Sequence, residues 1–259
     1  MEAKKCNSNI TGLTGNYMRT FECSDGNTYV VKFYNEGFGK RILPNEYVSG
    51  LLAKYLGMPC HNMNFVNVDE HLLENENLSM YSSGIQLGIK YDHNSNELSP
   101  FRVNKVHNQK DIASILVFDQ WIYNPDRGNQ YCNWLISNND GLLTIIDHSE
   151  AFGCRKWETS HLLSRLGLLI KYTKSEYAYA NLLELAKKSF DVDAQMKDFI
   201  ERIVNIPDKE ISDIINSVPD VWNVSADEKS QMLNYLIERR KNLHNLVFNP
   251  QNRILVGVG

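Results

Sequence analysis

Cysteine pairs, long apolar runs and a leader segment are lacking from this sequence, and each absence excludes a class of protein. The 5 cysteines among 259 residues are scattered and include no C-x-x-C pair, which argues against a disulfide framework and against a zinc site. No stretch reaches the roughly 18 apolar residues that a membrane-spanning helix needs, and the N-terminus has no apolar signal region. We therefore expect reduced thiols, no membrane span and a cytoplasmic location.

An excess of charge of one sign is also lacking. The chain has 27 basic and 31 acidic residues and a formal net charge of −4. Because the two signs are interspersed, no basic field favours a nucleic-acid partner. A hydrophobic content of 42% in 259 residues is enough for a substantial core. The composition indicates a soluble globular protein of one bilobal unit or two small domains.

The N-terminal part of the chain predicts a small sheet that carries one helix. The segments with the aromatic, apolar and β-branched residues typical of strands are 17–23, 28–34, 64–68 and 84–91. Asp25-Gly26 between the first two is a hairpin turn signal. Pro44 opens a helix whose apolar residues recur at helical spacing, and Gly57 ends it.

Two charged residues of this region have the types that bind nucleotide phosphates. Lys32 lies in the second strand of the hairpin, and Glu46 lies near the start of the helix. A strand lysine can contact phosphates while a helical glutamate holds it in place, although as isolated residues both are more typical of solvent-facing charges. Upstream, Gly12 and Gly15 lie in a turn that either wraps its amides around phosphates or simply leads into the first strand.

The middle of the chain has a two-part pattern of carboxylates and amides. A helix predicted over 111–123 ends before a proline and delivers Asp126 to a loop; Asn133 follows, and a hairpin over 134–146 ends at Asp147. Phosphoryl transfer needs one carboxylate at the attacking hydroxyl, and another carboxylate with an amide to hold Mg²⁺ on the phosphates. Asp and Asn are also common turn residues, so the pattern gains its weight from the lysine and glutamate upstream.

The remainder of the chain, from Leu162 onward, is predicted to be mainly helical. Ser225 with Glu228 fits a capping box, and the apolar residues that follow mark one buried face of a long terminal helix. Aromatic residues within 172–179 are more typical of core packing than of substrate contact. We interpret this region as a scaffold.

Taken in order, these segments resemble the HipA-like kinases, in the compact form without the extra N-terminal subdomain of the HipA toxins. The resemblance rests on the strand 29–33, the helix start 45–47, the loop 121–133 and the strand end 146–149, within 10–155. It implies an α+β, bilobal protein-kinase-like fold with a small β-rich N-lobe that has one helix and a larger, mainly helical C-lobe. The implied boundaries are 1–92 for the N-lobe, 93–100 for the linker and 101–259 for the C-lobe.

Carried over residue by residue, the resemblance implies a role for each candidate. The roles are catalysis for Asp126, Lys32 and Glu46, ATP phosphate binding for Lys32, Gly12 and Gly15, and Mg²⁺ binding for Asn133 and Asp147. In ordinary protein kinases the amide ligand lies nearer the catalytic aspartate, where this chain has Tyr131. Either the loop bulges to bring Asn133 to the metal or Asn129 replaces it. The loop also resembles that of type II phosphatidylinositol 4-kinases.

Three interpretations of function follow from these patterns. The first is an ATP- and Mg²⁺-dependent kinase that phosphorylates a serine or threonine hydroxyl of a protein. The second is a lipid or small-molecule kinase, which the phosphatidylinositol-kinase-like loop favours. The third is a catalytically silent kinase-like binding module or toxin-related regulator that recognises an antitoxin or other regulatory partner.

Overall fold

Five antiparallel strands form the N-terminal sheet in the computed structural model, which describes residues 1–7, 18–127, 131–170 and 178–248. The strands are β1 (Ala3–Cys6), β2 (Met18–Cys23), β3 (Thr28–Lys32), β4 (Met63–Val68) and β5 (Gly84–Lys90), in the order β1-β2-β3-β5-β4. The turn between β2 and β3 has a φ of +77° at Gly26, a left-handed conformation that glycine adopts without strain. The predicted hairpin is therefore confirmed.

The alternation of side chains along β3 decides where Lys32 points. Val31 and Phe33 are buried in a small core that the sheet shares with the segment after β4, whereas Val30 packs on the opposite side. Because side chains of a strand alternate between its faces, Lys32 lies on the face of Val30. That face is covered by helix α2 (Ile42–Tyr55).

Three helices belong to this part of the chain: α1 (Glu36–Gly39), α2 and α3 (Glu70–Asn75). Pro44 lies in the first turn of α2, where its missing N–H costs nothing, and Gly57 follows the end of α2 with a φ of +68°. The buried residues of α2 include Asn45 and Glu46. A polar pair is thus held inside the molecule at the start of this helix.

A second, three-stranded antiparallel sheet consists of β6 (Ser95–Glu97), β7 (Trp134–Ser137) and β8 (Leu143–Ile145). The predicted hairpin of β7 and β8 is confirmed, and Ile145 N–H donates to the carbonyl of Pro59 at 2.8 Å. The stretch 93–100, predicted as the linker, contains β6 and pairs with β7. The lobe boundaries at this stretch stay a prediction.

The rest of the described chain is helical. The helices are α4 (Asp111–Ile122), α5 (Thr159–Ser164), α6 (Ala178–Lys187), α7 (Val192–Val204), α8 (Asp208–Asn216), α9 (Ala226–Lys241) and α10 (Leu243–Phe248). Helix α4 is almost entirely buried, and the capping box of Ser225 and Glu228 starts α9 as predicted. The expected long terminal helix is divided into α9 and α10 at Asn242. Within the described residues, we find no helix with the length and apolarity for crossing a bilayer.

Candidate active site

A buried chain of ion pairs joins the two sheets. Lys32 is the last residue of β3, and its Nζ lies 2.7 Å from Glu46 Oε2 and 3.0 Å from Asp147 Oδ1. Lys32 and Glu46 are buried, whereas the Asp147 side chain keeps 18% of its surface exposed. Since a buried charge is costly unless it is paired, each member of this chain needs the others. The structure therefore brings together three of the predicted site residues.

Electrostatics keep both carboxylates of this chain ionised. Burial alone would raise the pKa of Glu46, but Lys32 and His148 outweigh burial and hold the pKa below its ordinary value. Burial also opposes ionisation of Asp147, yet Lys32 holds the pKa of that carboxyl well below its usual range. His148 itself is buried, and burial together with Arg127 lowers its pKa, so the imidazole is neutral at pH 7.

The backbone at Asp147 has an unusual conformation that its neighbours stabilise. Its φ is +60°, a left-handed value that is uncommon outside glycine. The Ser149 N–H donates to Asp147 Oδ1 at 3.0 Å, and the Asn124 amide donates to the Asp147 carbonyl at 3.3 Å. The next residue, His148, donates its N–H to Glu46 Oε2 at 2.7 Å. Three hydrogen bonds thus hold the strained turn at Asp147 and fix the position of its carboxylate.

Asp126 and Asn133 are in direct contact. Asn133 Nδ2 donates to Asp126 Oδ2 at 2.8 Å, and Asn133 lies in a short 3₁₀ turn, Tyr131–Asn133, directly before β7. This turn brings the amide back to the aspartate although the loop is longer than in ordinary protein kinases. Asn129 lies outside the described residues. The choice between the two asparagines as metal ligand stays a prediction.

A buried arginine ties the Asp126 loop to the strand end that precedes Asp147. Arg127 Nε lies 2.9 Å from Asp119 Oδ2, and both side chains are fully buried. The guanidinium also donates to the carbonyls of Asn133 and Ile146. Because one planar group bonds to both segments, the loop and the strand end keep a fixed relation. Arg127 therefore fixes the two segments that carry Asp126 and Asp147 relative to each other.

Sequence reasoning gave no role to Arg127, Asp119 or Asn45. The signal for Asp119 was present: it is a carboxylate inside a mostly apolar helix, which is expensive unless a cation lies nearby. Asn45 is fully buried beside Glu46 and donates to carbonyls of the segment after Asp147. No sequence pattern indicates a hydrogen bond to a distant backbone carbonyl, so these contacts of Asn45 could not be predicted.

The donor groups present fit a cation that arrives with nucleotide phosphates. Among the described residues, no cluster of three or more His, Cys, Asp or Glu side chains would hold a metal by itself. Mg²⁺ is usually bound by one or two carboxylates together with substrate phosphates and waters. Asp147 offers an ionised carboxylate, Asn133 offers an amide group, and Lys32 offers a positive charge for phosphate oxygens. Gly12 and Gly15 lie outside the described residues.

The sequence matches the model of a known family. A family model described as HipA-like kinase matches residues 7–251. The chain belongs to the HipA-like kinase family. The match covers both sheets apart from β1, and the helical part, so the prediction of a kinase of this family is confirmed. Among curated proteins, none matches this HipA-like kinase.

Two solved structures resemble this HipA-like kinase in fold. The Helicobacter pylori proinflammatory kinase CtkA has a TM-score of 0.62 at 15% identity, with 100% of this chain and 99% of that chain covered. The Golgi casein kinase with Mn and ADP bound has a TM-score of 0.52 at 12% identity, with 96% of this chain and 74% of that chain covered. Both comparisons confirm the predicted bilobal, kinase-like α+β fold. The similarity of the loop to type II phosphatidylinositol 4-kinases stays a prediction.

Proposed function

We propose that this HipA-like kinase uses ATP and Mg²⁺ to phosphorylate a serine or threonine hydroxyl of a protein. The observation that carries the proposal is the buried chain of Glu46, Lys32 and Asp147, with Nζ distances of 2.7 Å and 3.0 Å. In kinases, the lysine–glutamate pair and the metal-binding aspartate must both be in place for transfer. The contacts of Lys32, Glu46 and Asp147 support these roles, and Arg127 and Asn133 bond the Asp126 loop to the segments on either side of the β7–β8 hairpin.

Each side chain of the site has a role that follows from its contacts. Lys32 donates to phosphate oxygens, and Glu46 keeps it in position through the buried ion pair. Asp147 and Asn133 would hold Mg²⁺, which, when bound, neutralises charge on the phosphates. Where Asp147 serves the metal, Glu46 would keep the charge of Lys32 paired.

Asp126 orients the acceptor hydroxyl. Its Oδ2 accepts from Asn133 at 2.8 Å, so the carboxylate is held in one orientation. Transfer of a phosphoryl group depends mostly on positioning and charge neutralisation, and a fixed carboxylate serves positioning well. The proposed pairing of Asp126 with the hydroxyl and Asp147 with the metal separates the two roles.

A nucleotide and a divalent cation have support from the fold comparison as well. The structure of the Golgi casein kinase, which resembles this fold, contains Mn and ADP. The name of that enzyme also refers to a protein substrate. The cytoplasm is the proposed compartment, in keeping with the free thiols of Cys6, Cys23, Cys60 and Cys154. An antitoxin or other regulatory partner stays a prediction from the family.

Incubation with γ-labelled ATP tests the proposal. The wild-type protein, Asp126→Asn and Asp147→Asn are each supplied with a protein pool or with phosphatidylinositol vesicles. We expect label on serine or threonine of protein with the wild type, and at least a ~100-fold loss in each variant, because each variant removes a group that positions the reactants. Asp198→Asn, at an exposed position of α7, is the control that keeps its activity.

Thermal unfolding with and without Mg-ATP separates the alternatives, because a ligand that binds only the folded state raises Tm. We expect a rise for the wild type and for Asp126→Asn, and a smaller rise for Asp147→Asn. Label on the lipid alone would mean that the acceptor is a lipid and not a protein. No label and no rise in Tm at millimolar Mg-ATP would mean a silent binding module and would overturn the proposal.

A further inference from the structure

One amide side chain connects helix α2 with the segment that follows Asp147. Asn45 is fully buried, and its Nδ2 donates to the carbonyls of Ser149, Ala151 and Cys154 at 2.8, 2.8 and 3.1 Å. Its Oδ1 accepts from the indole N–H of Trp157 at 2.7 Å. Every polar atom of this side chain therefore bonds to one short segment of the chain, more than a hundred residues away.

The backbone of that segment curls around the amide. Phe152 and Gly153 have φ values of +60° and +88°, two consecutive left-handed residues of which one is not glycine. A left-handed conformation in a residue with a side chain persists only where the surroundings hold it. The three carbonyls converge on one NH₂ group and share its two N–H donors, and this contact contributes to that constraint. The shape of the segment and the presence of Asn45 thus depend on each other.

The position of Asn45 in α2 makes this contact relevant to the site. It directly precedes Glu46, the residue that pairs with Lys32, and Glu46 Oε2 also accepts from the N–H of His148. Two successive residues of α2 are therefore bonded to the chain that follows Asp147. A movement of α2 would displace Glu46 and this segment together, and with them the Asp147 carboxylate.

We propose that Asn45 is a positioning residue that couples α2 to the segment 148–157, so that Glu46, Lys32 and Asp147 stand in their working arrangement before nucleotide binds. The consequence for rate rests on the proposed kinase function, whereas the coupling itself does not. The four hydrogen bonds make α2 and this segment one unit. Loss of the amide donors then loosens both sides of the contact.

Asn45→Asp tests the coupling because it keeps the size of the side chain and replaces the donor NH₂ by an oxygen that faces three carbonyls. Gln120→Glu is the matched control: Gln120 is also a buried amide, and it exchanges hydrogen bonds with the backbone of Ile170 in the helical part. Trp157→Phe is a second variant, which keeps the Asn45 amide but removes the donor to Oδ1 together with part of a fully buried ring. It covers the case in which Asn45→Asp does not fold.

Hydrogen exchange of the nucleotide-free proteins, followed by mass spectrometry, reports on the contact directly. In Asn45→Asp we expect faster exchange in peptides of both 42–56 and 147–157, and a weaker change of the same kind in Trp157→Phe. Gln120→Glu should leave both regions within twofold of the wild type. Faster exchange in only one of the two regions, or in neither, would overturn the coupling.

Steady-state kinetics then separates positioning from a general loss of stability. We expect kcat to fall by about 10- to 100-fold in Asn45→Asp, with a much smaller change in Gln120→Glu even where the two variants have equal Tm. Equal kcat in both variants would show that Asn45 has only a structural role. A wild type that transfers no phosphate would refute the proposed function, and the exchange experiment would still decide on the coupling.

Discussion

Lys32 shows at the scale of one residue how burial and pairing create the site. Its Nζ lies between two carboxylates at 2.7 Å and 3.0 Å, in a place where an unpaired ammonium would be expensive. The alternation of β3 turns Lys32 toward α2, and the second turn of α2 supplies Glu46. The ion pair is therefore a consequence of two local patterns that meet in the fold.

Glu46→Gln tests this pair through stability. Removal of one partner from a buried pair leaves an incompletely compensated charge, so we expect the free energy of unfolding at pH 7 to fall by about 3 kcal/mol. Urea denaturation measures the change. Glu201→Gln, at an exposed position of α7, should change the free energy of unfolding by less than about 0.5 kcal/mol.

The same variant predicts a pH dependence. The pKa of Glu46 is lowered in the folded state, so its ionisation contributes stability above the ordinary glutamate pKa of about 4.3, and this contribution is lost as the pH falls through the folded-state pKa. The difference in free energy of unfolding between wild type and Glu46→Gln should therefore be largest near pH 7 and shrink toward pH 3. A difference that stays constant or grows over this range would contradict the pairing.

The candidate site residues that sequence analysis proposed share one property. Lys32, Glu46, Asp126 and Asp147 belong to a known order of chemical groups along the chain, so their types and positions were sufficient to propose them as a site. Asn45 could not be found in this way because its partners are backbone carbonyls, which every residue has. The supporting contacts of a site are thus harder to predict than the groups that act in it.

At the scale of elements, the local signals predicted the strands β2, β3, β4, β5, β7 and β8. Turn signals mark the β2–β3 and β7–β8 hairpins, and both hairpins are present. β6 consists of Ser-Asn-Glu, residues with little strand propensity. It is extended because its backbone pairs with the edge of β7. β1, with two lysines among its four residues, pairs with β2 for the same reason.

Trp222 connects elements that are far apart in the sequence. It lies in a 3₁₀ turn before α9, is almost fully buried, and donates its indole N–H to the carbonyl of Ile85 in β5 at 2.8 Å. Its ring contacts Tyr47 of α2 and Phe65 of β4, each with centroids 5.7 Å apart. The C-terminal part of the chain thus packs against α2 and against strands β4 and β5.

Trp222→Ala should lower the free energy of unfolding by about 3 to 5 kcal/mol, because a large buried side chain is replaced by a cavity. Trp222→Phe keeps a ring but loses the N–H donor, and we expect a smaller loss from the unpaired Ile85 carbonyl, about 1 to 3 kcal/mol. Urea denaturation ranks the variants. The neighbouring Val221 is 59% exposed, so Val221→Ala should stay within about 0.5 kcal/mol of the wild type. An equal loss of unfolding free energy in Val221→Ala and Trp222→Ala would contradict a stabilising role of the Trp222 contacts.

At the scale of the whole molecule, the two lobes share a core. The larger hydrophobic cluster contains Met18 and Leu87 of the sheet, Leu52 of α2, and the buried faces of the C-terminal helices. Only the smaller cluster, around Phe21, Val31 and Phe33, belongs to the N-terminal sheet and its neighbouring segment. Composition left open whether the chain forms one unit or two domains, because neither length nor hydrophobic content reports which elements share a core.

A shared core predicts one cooperative unfolding transition. Far-UV circular dichroism follows the helices and the sheets, and tryptophan fluorescence follows the four buried indoles. The two methods should give coincident urea unfolding curves. Leu52→Ala should shift both curves equally, with a loss of about 2 to 5 kcal/mol, because fully buried Leu52 belongs to the cluster that both lobes build. Met80→Ala, at a side chain that is 58% exposed, should leave both curves in place. Separation of the two curves in the wild type or in Leu52→Ala would mean that the lobes unfold independently, and helix α2 would then belong to the N-lobe alone.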